Sequence, residues 1–159
     1  MRKTMLVMAI LFLAVGADSA RAQDFRWGPE LSLAEDADFG IGARIEFDFD
    51  GPPLTLIGSF DYFFPDPDDV DYWELNANLV YNFRIADAPS ITPYAGGGLN
   101  IAHVSIDRGD SFDDASDTDP GLNILGGVKF DAGPVTPFVE IKFEIEGGDQ
   151  FVVTGGLLF

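Results

Sequence analysis

Residues 39–50 read Phe-Gly-Ile-Gly-Ala-Arg-Ile-Glu-Phe-Asp-Phe-Asp, and the two halves of this stretch do not mix. Phe39, Ile41, Ala43, Ile45, Phe47 and Phe49 fall on one side of an extended chain. Gly40, Gly42, Arg44, Glu46, Asp48 and Asp50 fall on the other. Successive side chains of a strand point to opposite faces, so this period of two predicts a strand between two different environments. A helix would bring the two sets together on one surface.

The same rhythm recurs on both sides of this stretch. Trp27 to Ala34 sets Leu31 and Leu33 against Glu30 and Ser32. Leu54 to Phe64 sets Leu54, Leu56, Phe60, Tyr62 and Phe64 against Thr55, Ser59 and Asp61. Tyr72 to Arg84 opposes Trp73, Leu75, Ala77, Leu79, Tyr81 and Phe83 to Glu74, Asn76, Asn78, Asn82 and Arg84. Ile91 to Ile106 is rich in glycine and harder to phase. Gly121 to Phe130, Phe138 to Ile145 and Gln150 to Phe159 complete a set of eight predicted strands, each about long enough to cross a bilayer when tilted.

The connections alternate in chemistry. Asp50 to Pro53, Ile85 to Ser90 and Asp131 to Pro137 are short and rich in Pro or Gly, as tight turns require. Glu35 to Asp38, Pro65 to Asp71, Asp107 to Pro120 and Glu146 to Asp149 are acidic, with three, four, six and two Asp or Glu residues in turn. Compact turns at one end and longer polar loops at the other is the layout of an outer-membrane barrel, with turns and termini in the periplasm.

Alternation alone does not separate a membrane barrel from a soluble one, and the volume of the interior does. An eight-stranded barrel has room inside only for well-fitted side chains. The bulky apolar face would overfill it, whereas the Gly, Ser, Asn and charged face fits. The prediction is therefore an all-β, eight-stranded antiparallel transmembrane up-and-down β-barrel with its apolar face in lipid. Tyr62, Phe64, Trp73 and Phe151 would form one aromatic belt, and Phe47, Phe49, Tyr81, Phe83, Phe130 and Phe159 the other. The alternative, a lipocalin-like soluble ligand-binding barrel, would turn the charged face outward and bury the aromatics.

Composition agrees with export. Arg2 and Lys3 precede an apolar run of 11 residues, Met5 to Val15, and Ala20-Arg21-Ala22 has the small-x-small pattern of a signal-peptidase site. The run is short of the roughly 20 residues that a spanning helix needs. Residues 1–22 read as a cleaved signal peptide, and 23–159 as one barrel domain. There is no cysteine, which excludes disulfides, thiol catalysis and cysteine-bound metal. The net charge of −18 argues against nucleic acid, whose phosphates need a cationic surface.

Candidate site residues follow from the parity. Arg44, Glu46, Asp48, Asp61, Glu74, Arg84, Lys129, Glu140, Lys142 and Glu144, with Glu30, belong to the inward set. Charges in so narrow a space must be paired, so they predict a plugged polar lumen closed to solutes rather than a pore or a catalytic carboxylate pair. Asp107, Asp110, Asp113, Asp114, Asp117 and Asp119 are candidate oxygen ligands for Ca²⁺ or Mg²⁺. They lack EF-hand spacing, and such loops also suit cations that bridge lipopolysaccharide phosphates. Gly96-Gly97-Gly98 lacks the Lys and the helix of a phosphate loop.

The last strand, Phe-Val-Val-Thr-Gly-Gly-Leu-Leu-Phe, ends on Phe159, with Phe151, Val153 and Leu157 on the same side. It resembles the C-terminal signal by which outer-membrane barrels are handed to the barrel-assembly machinery. Thr92-Pro93-Tyr94-Ala95-Gly96-Gly97-Gly98 and Thr136-Pro137-Phe138-Val139-Glu140 resemble strand openings of the small outer-membrane β-barrel domain family, which is similar to OmpX and the OmpA membrane domain. The resemblance implies a cofactor-free monomer among outer-membrane lipids and lipopolysaccharide, with a structural or surface-interaction role. His103 and Ser105 form an H-x-S pair that resembles the His and Ser of outer-membrane lipid A deacylases, with Ser105 as nucleophile and His103 as base. The residues after Ser105 do not continue that motif, and parity supplies no third member.

Overall fold

The computed structural model describes residues 25–35, 38–65, 70–106, 115–146 and 149–159. Residues 1–22, expected to be a signal peptide, and Asp107, Asp110, Asp113 and Asp114 lie outside the described residues. Eight strands follow in order: β1 Phe25–Ala34, β2 Asp38–Asp48, β3 Leu54–Phe64, β4 Val70–Asn82, β5 Ile91–Ile106, β6 Ala115–Phe130, β7 Thr136–Ile145 and β8 Phe151–Leu158. Each pairs antiparallel with the next, and β8 returns to β1 through Glu30↔Gly156 to Ala34↔Val152. Closure leaves no open sheet edge around the wall, the condition for placing a β-structure in hydrocarbon.

The wall is apolar outside and polar inside. Leu33 and Leu99 are each 61% exposed and Trp27 is 57%, whereas Ser32, Glu46, Thr55 and Glu74 have no exposed surface. The aromatics of the expected short-turn belt, Phe47, Phe49, Tyr81, Phe83, Phe130 and Phe159, are all exposed on the outer surface. This is the reverse of the soluble-barrel alternative, which would have put Arg44, Glu46, Glu74 and Lys142 in water. In water such an exterior would cost roughly 25 cal/mol for every square ångström left unburied. Lipid removes that cost.

Four large aromatics turn inward, Phe63, Tyr72, Tyr94 and Phe138, and all but Tyr72 stand directly opposite a glycine in the strand ladder. The pairs are Phe63 with Gly40, Tyr94 with Gly127, and Phe138 with Gly156. A Cβ added at these glycines would stand 2.7 Å from Phe63 Cδ1, 2.5 Å from Tyr94 Cζ and 2.6 Å from Phe138 Cε1. Each ring therefore lies flat over a neighbouring strand, which lets a large side chain fit in a narrow lumen and covers a bare stretch of backbone.

Several strand ends differ from the sequence expectation by a few residues, and two of the differences move candidate site residues. β6 begins at Ala115 rather than Gly121, so Asp117 and Asp119, expected in a loop, are strand residues. Residues Ala115–Pro120 pair only with β5, because the β6–β7 ladder stops at Leu122↔Ile145. No lipid-facing alternation marks this stretch, and polar side chains occupy both of its faces. At the other end, β4 stops at Asn82. Arg84, expected in the lumen, lies past the strand end and is exposed.

Candidate functional site: the lumen and its mouth

The interior is organised around four cationic side chains. Nearest the short turns, Arg26 Nη2 bonds Asp48 Oδ2 at 2.9 Å and Glu46 Oε2 at 3.1 Å, and Lys129 Nζ reaches the same Glu46 oxygen at 2.6 Å. Deeper in, Arg44 Nε donates to Glu30 at 2.7 Å. Its two terminal nitrogens hold Glu140 at 2.7 and 2.9 Å, in the forked geometry that makes Arg–carboxylate bonds strong. The Arg44 guanidinium also sits 4.1 Å from the centroid of Phe138, and Tyr94 OH donates to Glu140 at 2.8 Å.

Part of the interior is uncharged. Asn123 Nδ2 donates to Asn76 at 2.8 Å and Asn78 at 2.9 Å, beside an apolar cluster of Ile57, Val80, Tyr94 and Leu125. Toward the loops, Lys142 Nζ bridges Glu74 at 3.2 Å and Glu144 at 2.7 Å. Gln150 Nε2 donates to both glutamates, at 2.7 and 3.0 Å, and Tyr72 OH donates to Glu74 at 2.5 Å. Ala34, Phe63, Tyr72, Ala102 and Val152 close this end as a second apolar cluster.

Arg44, Lys129 and Lys142 face six fully enclosed carboxyl groups: Glu30, Glu46, Asp61, Glu74, Glu140 and Glu144. Cations alone cannot satisfy that many acceptors, so neutral donors supply the rest. Ser32 bonds Asp61 at 2.9 Å, and Tyr72, Tyr94 and Gln150 act as described above. Such groups are tolerated in a dry interior when they are bonded, and the exceptions here are Glu46 Oε1, Asn123 Oδ1 and the Asn100 amide, which are buried without a hydrogen-bond partner.

The structure thus brings Arg44, Glu46, Asp61, Glu74, Lys129, Glu140, Lys142 and Glu144 together in the lumen. Asp48 sits half-buried at the mouth and Arg84 on its rim. Parity counting missed Arg26, which precedes the expected start of β1, and Gln150, which precedes β8 yet is buried. Phe63, Tyr72 and Phe138 were legible as apolar residues standing at polar parity. Phe151, Val153, Leu157 and Phe159 lie on the outer side of β8, alternating with buried Val152, Thr154 and Leu158.

His103 and Ser105 lie on the outward face of β5. His103 Nδ1 shares a 2.7 Å hydrogen bond with Thr118 Oγ1, and its ring stacks on Trp73 at 4.9 Å. Ser105 stands opposite Asp71 in the ladder, and Asp71 accepts a hydrogen bond from Tyr62 OH. The histidine is oriented by a hydroxyl from β6. A carboxylate, which would raise its basicity, does not occupy that position.

Fold and exterior together define a transmembrane β-barrel of the small eight-stranded class. No protein-family model matches the sequence, and no curated protein sequence matches it. Solved structures do. The chain is similar to the N-terminal β-barrel domain of Pseudomonas aeruginosa OprF, with 18% identity over 84% of this chain and 96% of that one, at a TM-score of 0.63. Neisserial surface protein A (NspA) matches with 17% identity over 84% and 92% of the two chains, at 0.62. The attachment invasion locus protein Ail of Yersinia pestis matches with 17% identity over 85% and 93%, at 0.57. Likeness at this level of identity establishes the shared fold.

Proposed function

We propose that the protein is an integral outer-membrane barrel whose lumen is closed to solutes and whose role is structural or one of surface contact. The observation that carries this reading is the Arg44–Glu30–Glu140 cluster, which spans the lumen from β2 to β1 and β7 with every guanidinium edge engaged or covered. Moving ions past it means breaking enclosed ion pairs, which is costly in a low-dielectric interior. With the wall in lipid and the interior filled, only the two ends remain for recognition. The acidic connections include the longest in the sequence, Asp107 to Pro120, and barrels of this shape include proteins named for the cell surface and for attachment.

Planar-bilayer recording on the refolded protein tests the closed lumen. Traces at the background of protein-free membranes are expected. Stepwise single-channel conductance would overturn it. Outer-membrane residence is checked by heat-modifiability of the membrane-extracted protein, which should run faster unboiled than boiled. Recovery in the soluble periplasmic fraction would count against it.

A further inference from the structure

The short-turn end of the barrel opens into a cavity of about 490 Å³, within the usual size range for small-molecule sites. Its charged lining is Arg26, Arg84, Lys129, Asp48 and Asp131, set among the proline-bearing turns. From residue 23 onward the chain has six Lys or Arg residues: Arg26, Arg44, Arg84, Arg108, Lys129 and Lys142. Half of them converge on this one cavity, in a protein of net charge −18.

Of the carboxylates here, Asp48 is paired and Asp131 is tied into its own turn. Asp48 accepts from Arg26 and, at 2.5 Å, from Thr55, while Asp131 accepts from the Gly133 backbone N–H at 3.1 Å. Glu46, behind the cavity, takes Arg26 and Lys129 on one oxygen. The donors are not used up. Arg26 Nε is buried without a hydrogen-bond partner, and Arg84 makes no ion pair among the described residues. Lys129 spends one bond on Glu46 and lies 5.0 Å over the Tyr94 ring. What the cavity offers an incoming molecule is therefore the donor capacity of Arg26, Arg84 and Lys129, set against the two carboxylates of Asp48 and Asp131.

We propose that this mouth is a binding site for a small molecule carrying carboxylate or phosphate groups, held between Arg84 on the rim and Arg26 and Lys129 at the floor. Guanidinium and ammonium donors match oxyanions in charge and geometry. The low-dielectric wall behind them strengthens the attraction relative to open surface.

The test is calorimetric titration of the full barrel, refolded in detergent, with inorganic phosphate and separately with succinate. The two arms distinguish a phosphate from a carboxylate ligand. Saturable binding of at least one probe is expected, and Arg84→Glu should weaken it about tenfold or more, the effect of one charge-assisted contact. Arg84→Gln gives a milder loss and serves if the charge reversal impairs refolding. Arg108→Glu changes the net charge equally on the β5–β6 connection and should leave binding unaltered. Failure of both probes to saturate overturns the proposal, as does an equal loss in the Arg84 and Arg108 variants. None of these outcomes depends on whether the lumen conducts, so the proposal and the closed-barrel reading fail separately.

Discussion

The Arg44 guanidinium meets the Glu140 carboxylate through two parallel hydrogen bonds, joining β2 to β7 through the interior. The two residues are 96 positions apart, so this contact exists only once the barrel has closed. Glu140→Ala leaves Arg44 hydrogen-bonded to Glu30 alone among the carboxylates, with Glu46 no nearer than 3.9 Å, and removes the forked pair from an enclosed positive charge. A loss of about 3–5 kcal/mol in unfolding free energy is expected. Urea titration of the barrel in lipid vesicles, followed by tryptophan fluorescence, measures it.

The two enclosed lysines should differ. Lys142 bridges Glu74 and Glu144, whereas Glu46 keeps Arg26 when Lys129 is removed. Lys142→Met should therefore destabilise the barrel more than Lys129→Met in the same titration. Equal losses would mean that the lysines contribute through packing of their stems rather than through the pairs.

Ile141 lies near the middle of β7 on the outer wall, 45% exposed. In a membrane, Ile141→Arg should cost about 2–4 kcal/mol, the penalty for a cation near the bilayer midplane. On a water-facing surface the same change stays within about 0.5 kcal/mol. Comparing the two proteins in vesicles gives the answer directly.

Gly127→Ala places a methyl group against the Tyr94 ring and the Val139 carbonyl, both 2.5 Å from the new carbon. The ring must tilt away, and its hydrogen bond to Glu140 goes with it. Overpacking of this kind costs about 1–3 kcal/mol. Gly126→Ala, one residue away on the outer face with its nearest contact at 3.5 Å, is the control and should be nearly neutral.

Arg84→Ala should leave stability within about 0.5 kcal/mol of wild type, because the side chain is exposed on the rim. Arg44→Ala should be severely destabilising. Parity made the two arginines equivalent, and the same urea titration separates them.

How much of this was legible depended on whether a feature is local. The alternation of Phe39 to Asp50 assigns each side chain to a face without reference to any other strand, because the period of the backbone is two. Chain-length arithmetic and the Pro- and Gly-rich turns then give eight strands and their antiparallel order. The excess of bulky apolar side chains over lumen volume gives the sense of the wall. All of these are properties of single strands or of adjacent pairs, so the sequence by itself determined them.

The contacts inside the lumen are of a different kind. Arg44 could have met any of six enclosed carboxyl groups by parity alone. The stagger of the closing ladder, Glu30↔Gly156 among its pairs, is what sets Glu30 and Glu140 beside it and leaves Glu74 and Glu144 to Lys142. The same stagger seats Tyr94 over Gly127 and carries β6 past the end of β7, where Asp117 and Asp119 become strand residues with no lipid face to mark them. Periodicity says which way a side chain points. Its height in the barrel, and so its partner, is fixed only when eight registers close on one another.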